Sequence, residues 1–216
     1  MAILEKAQEA GRVLAGMFGF NARARKLDDV DTFEHFVSAR SAFVAQKKLY
    51  GYLKTRMGTR YPSMFEDDQF IASINIAKAH IFAACLSDMT IFAVADVGAQ
   101  GRLSREQKNM LARRCYEAGL RGNAEQLAHA GAEQDWRTAF GARIGGIHWD
   151  NVAAGADVFD TSPATLVEWA PIAPQLKAYD REIVENSLKF AWIEIRRDYR
   201  RMIDRDAVAA DFRNRT

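Results

Sequence analysis

An all-α fold, a multi-helix bundle, is what this sequence predicts, on three observations. Proline occurs only at Pro62, Pro163, Pro171 and Pro174, which leaves long stretches free to be helical. Those stretches carry apolar residues at helical spacing rather than in strict alternation. Capping residues stand where several of them begin, and glycine or proline where they end. The chain of 216 residues fits one main domain. That length is enough to bury about 70% of the surface of the unfolded chain. Its apolar fraction of 49% and charged fraction of 27% are those of a globular protein and exclude disorder of the whole chain. A net charge of +2 supplies no electrostatic argument for nucleic acid.

The first expected helix covers residues 2–18, where Ile3, Leu4, Ala7, Leu14, Met17 and Phe18 share one stripe. A basic linker follows at 21–26. Residues 1–26 are thus expected to form an amphipathic appendage, and 27–216 a single helical domain. Glu5, Lys6, Glu9 and Arg12 interrupt the apolar core that a signal peptide needs.

The next helix is expected over 31–57, with Asp31 and Glu34 as a capping box. Phe33, Phe36, Val37, Phe43, Val44, Tyr50, Leu53 and Met57 give it a wide apolar face. Gly58 ends it, and Tyr61-Pro62-Ser63 turns the chain. A third helix, 67–97, is the most apolar segment. Lys78, Asp88 and Asp96 limit its uncharged runs; residues 79–87 make a run of 9, far short of the ~20 that span a bilayer. It therefore reads as the buried centre of the fold, paired antiparallel with 31–57. Ser104 and Gln107 form the capping box of a fourth helix, which Gly119 and Gly122 end.

Residues 119–160 hold 7 of the 14 glycines and two of the four tryptophans, Trp136 and Trp149. Short helices and a Gly-rich loop region are expected there. Ser162 as N-cap with Pro163 at the first helical position should start a short helix that stops near Ala170, before Pro171. The last long helix is expected over 175–205. Leu176, Tyr179, Ile183, Ser187, Phe190, Ile193 and Ile195 carry its apolar side, and its end is rich in arginines interleaved with acids. Helices 31–57, 67–97 and 175–205 should form the core, with the fourth packed alongside.

Two cysteines, Cys85 and Cys115, make no disulfide framework and fit a reducing, cytoplasmic setting. Chemistry has few candidates. The nucleophile elbow Gly-x-Ser-x-Gly is absent. His80 lies seven residues from both Ser73 and Ser87, about 10 Å of helix rise, so a dyad needs a residue from another element. Lys78, His80 and Asp88 either mark a polar pocket or form structural pairs. His148 and Asp150, with Asp157 and Asp160, mix imidazole and carboxylates, but no metal-ligand spacing supports a metal, and no cofactor is expected. Arg56, Arg60 and Tyr61 stand beside Glu66, Asp67 and Asp68, where they either bind an anionic group or partner loop, or pair among themselves. Trp149 is a candidate interface anchor.

The stretch FVSARSAFVAQKKLYGY at 36–52, continued by TRMGTRYP at 55–62, resembles a family of small helical bacterial proteins of uncharacterised activity, some of them labelled esterase. The resemblance covers about residues 33–97. It implies no catalytic residues. The function expected first is a non-enzymatic helical adaptor that binds a protein partner or itself through residues 1–26 or the tryptophan-bearing region. The second is a small esterase-like hydrolase, with His80, Ser87, His148 and Asp150 converging between 67–97 and the 140–162 loops. The third is a peripheral membrane protein at the inner face of the membrane, held by residues 1–26.

Overall fold

The computed structural model describes residues 26–216. The expected helix 2–18, nearly all of its linker and any membrane contact they make lie outside those residues. Among the described residues there are nine α-helices and no strands, only an isolated bridge. They are α1 Val30–Met57, α2 Asp68–Gln100, α3 Arg105–Gly122, α4 Ala124–Leu127, α5 Glu133–Gly146, α6 Trp149–Ala153, α7 Thr161–Trp169, α8 Pro174–Met202 and α9 Arg205–Asn214. Two short 3-10 turns, Gly58–Arg60 and Ser63–Glu66, join α1 to α2.

Local chemistry sets these limits. Asp29, not Asp31, caps α1: its carboxylate accepts from the Thr32 N–H at 2.7 Å, and Thr32 completes the capping box. Asp31 lies within the first turn and instead takes Arg215 at 2.8 Å, which ties the end of α9 to the start of α1. Gly58 ends α1 at φ +53°, a backbone state that side chains other than glycine's resist. Asp67 caps α2 by accepting from the N–H groups of Gln69 and Phe70. Ser104 and Gln107 cap α3 reciprocally, as their spacing predicts.

Helix α2 is the axis. It is long and apolar enough to cross a membrane, yet 94% of its most apolar window is buried inside the fold. Its neighbours are α1, α3, α6, α7 and α9. Close approach depends on small residues. A Cβ on Gly119 would lie 2.6 Å from a Leu86 methyl, so this glycine lets α3 seat on α2.

Three expectations change. The glycine-rich stretch has the expected short helices, and they reach further than its glycines suggest: Gly141, Gly145 and Gly146 lie within α5. Helix α7 starts at Thr161 with Asp160 preceding it, so Ser162 is not the cap. Its N–H and hydroxyl are engaged in the interior instead. The long final helix stops at Met202. Ile203 turns extended and bridges to Leu27: the Leu27 N–H donates to the Met202 carbonyl and the Asp204 N–H to the Leu27 carbonyl, both at 2.9 Å. Asp204 then caps α9. Helix α8 lies against α7 and α1 and reaches α2 through the Tyr199 hydroxyl, which donates to the Ala93 carbonyl at 3.2 Å.

Candidate functional site

The ionisable residues of α2 come first, because burying charge is costly without a partner. Asp88 is fully buried. Arg143, from α5, donates to Asp88 at 2.6 Å and to the Ser87 hydroxyl at 2.7 Å through one nitrogen. Its other terminal nitrogen donates to the Val158 carbonyl and to Asp160. The Ser162 N–H closes the second oxygen of Asp88 at 2.8 Å, and the Trp192 indole donates to the Ser162 hydroxyl at 3.0 Å. One guanidinium and one carboxylate thus pin α2, α5 and α7 together, and the Ser162 hydroxyl carries the tie on to α8. Burial outweighs Arg143 and pushes the Asp88 carboxyl up to about 6.

This knot engages one of the residues expected to do hydrolysis. Ser87 accepts from Arg143 and is held by it. His80 is two turns away, half-buried, with its ring stacked on Trp169 at a centroid distance of 3.4 Å. Its Nδ1 accepts from the Trp136 indole at 3.2 Å. Burial lowers its pKa, which favours the neutral imidazole. Both rings that hold His80 are aromatic, and no serine partners it among the described residues.

The 148–160 segment divides between core and surface. Trp149, expected as an interface anchor, is a core residue whose indole donates to Asn109 at 2.9 Å. His148 is exposed at the start of α6. Asp150 is exposed and pairs with Lys108 at 3.1 Å. Among the described residues no group of His, Cys, Asp and Glu could hold a metal ion. In the α1–α2 turn, Arg56 clasps Asp180 with two nitrogens, and the Tyr52 hydroxyl donates to the same carboxylate at 2.8 Å. Tyr61 packs edge-on against Phe65. Arg60 alone of this set is exposed and makes no ion pair among the described residues. The cleft between α1, α2 and α4, lined by Gln46, Lys78, Phe82 and Asn123, is too tight for more than about one water.

The surface feature that stands apart is on α8. Its inward side is formed by Val184, Leu188, Ala191, Trp192, Ile195 and Tyr199, all buried. On the opposite side Tyr179 is 83% exposed, Ile183 73%, Phe190 68%, Ile193 51% and Leu176 43%. The sequence groups these five with Ile195 as one apolar side; only Ile195 faces the core. The helix carries two apolar stripes about half a turn apart. The inner one wins because Trp192, Tyr199 and Asp180 each find a fixed polar partner inside.

The outer stripe has a register. Leu176, Tyr179, Ile183, Asn186, Phe190, Ile193 and Arg197 are separated by alternating steps of 3 and 4. That is the heptad spacing of a helix that pairs lengthwise with another helix. Glu182 and Lys189 flank it, exposed, and neither makes an ion pair among the described residues. Sequence reasoning misses both this orientation and Arg143. The heptad step is legible at 176–197, and an acid inside an apolar helix signals a cation elsewhere in the chain. No family model, curated protein or solved structure matches the chain.

Proposed function

We propose that this is a non-enzymatic interaction protein that binds a helical partner along the outer face of α8. The observation that supports the reading is the row of five exposed large apolar side chains in heptad register on an otherwise well-anchored helix. Single exposed apolar residues are ordinary, but a contiguous stripe on a surface helix marks a contact site. Aromatic anchors such as Tyr179 and Phe190 are the residue types that dominate interface energetics. The helix-in-groove and coiled-coil modes both read anchors at this spacing.

The test uses a photo-crosslinking amino acid at position 179 in the full chain inside its own cells. The expected result is a discrete crosslinked species that disappears when Ile183→Asp and Phe190→Asp are added. Absence of any discrete species, with the same chain folded by circular dichroism, overturns the reading.

A further inference from the structure

We propose that the partner on the outer face of α8 is a second copy of this chain, with the two α8 helices antiparallel across a two-fold axis. The inference rests on the reading of that face as an interface. It adds the identity and direction of the occupant.

Register and charge carry the argument. In an antiparallel pair each first-position residue of the heptad meets a fourth-position residue of its mate. Leu176 then lies opposite Ile193 of the second copy, Tyr179 opposite Phe190, and Ile183 opposite Asn186. All five exposed apolar residues are covered by the same patch on the other molecule, as a two-fold interface requires. The two Asn186 amides fall on either side of the axis, where a polar residue in a seam fixes register.

The flanks agree. In this alignment Glu182 comes beside Lys189 of the second copy, and Lys189 beside its Glu182. One patch therefore supplies two ion pairs from residues that make none within the described chain. A parallel pair would join Lys189 to Glu194. It would also stack Arg197 on Arg197 within the seam and lay Arg201 beside its own copy. Like charges so placed oppose association. The antiparallel pair sends each arginine-rich end to the opposite end of the mate, toward Ile172 and Leu176.

The experiment uses the purified full chain. Sedimentation at high micromolar concentration is expected to show a dimer that Ile183→Asp converts to a folded monomer. Glu182→Lys should weaken the dimer about tenfold, since two pairs become repulsive, and adding Lys189→Glu to it should restore it. Direction is read by oxidation of single-cysteine variants. Cys85 and Cys115 are buried and do not interfere. Tyr179→Cys mixed with Phe190→Cys should form a disulfide-linked dimer, and neither variant should link to itself. Self-linking of Phe190→Cys alone overturns the antiparallel alignment. A monomer at all concentrations, with no linking in the mixture, overturns self-pairing. The wider reading then survives only through a crosslink from position 179 to a different protein in cells. Flotation of the purified chain with anionic vesicles, lost in Ile183→Asp, likewise overturns self-pairing in favour of a lipid surface.

Discussion

Helices α2 and α8 are similar in length but spend their apolar residues differently. In α2, apolar residues face every direction and nearly all are covered, and its one fully buried acid is met by Arg143. In α8, one apolar stripe is covered and the other is left in solvent. Both helices are equally regular, so periodicity alone does not separate a core stripe from an outward one. Polar anchors do. Trp192 and Tyr199 carry a polar tip that reaches a fixed acceptor, whereas no hydrogen bond within the described chain holds Tyr179. A stripe that ends in satisfied polar groups is committed to its own fold.

The sharpest way to break this contrast is to truncate one large side chain on each face of α8. Trp192→Ala removes a fully buried indole and leaves the Ser162 hydroxyl without its donor. A loss of about 3–5 kcal/mol is expected in urea unfolding. Phe190→Ala, measured in dilute protein, should cost far less. Equal losses at the two positions would mean that the two faces do not differ as described.

The polar knot on α2 gives the next effect, and it has a pH signature. Arg143→Met leaves the Asp88 carboxylate buried without its cation, at a cost of about 3–5 kcal/mol near neutral pH. The Asp88 carboxyl is raised from 3.8 to about 6 in the folded protein. An acid whose folded pKa is raised adds stability when protonated. That contribution is complete below the unfolded value and is lost as pH rises through about 6. The destabilisation by Arg143→Met should therefore shrink between about pH 7.5 and about pH 5, because the protonated acid no longer needs a counter-ion. A pH-independent loss would show that Arg143 acts through packing alone.

Close approach to α2 supplies a smaller effect. In Gly119→Ala the new methyl meets the fully buried side chain of Leu86 at 2.6 Å. A loss of about 1–3 kcal/mol is expected, recovered in part by adding Leu86→Val. Gly122→Ala is the control: it has open space at its Cβ and should be neutral or slightly stabilising in the helix.

These sites also show where sequence reasoning reaches its limit. Caps and stops are local, so Ser104 and Gly58 are legible, and so is the burial of α2 from its composition. The cap of α1 is misplaced by two residues because Asp29 and Asp31 each have a plausible partner three residues on. In the fold Asp31 is engaged by Arg215, 184 residues away. The 140–146 region reads as a loop from its glycines, yet α5 forms because Phe140, Arg143 and Ile144 have interior partners. His80 looks reactive in one dimension. Only the fold brings Trp136 and Trp169 to it and occupies it. What is not legible is long-range pairing, and both the Asp88–Arg143 knot and the outward turn of the 176–193 stripe depend on it.

The smallest expected effect is the one that tests the outer stripe most directly. Ile183 is 73% exposed and lacks interior contacts to lose, so Ile183→Ser should change the stability of the dilute monomer by no more than about 0.5 kcal/mol. The paired state behaves differently. If the native chain self-associates through α8, its unfolding midpoint rises with protein concentration, because the mate binds only the folded form. Ile183→Ser should flatten that dependence while leaving the dilute midpoint in place. A variant that lowers the midpoint equally at every concentration would instead place Ile183 in the fold of its own chain, and the stripe would lose its claim to be a docking surface.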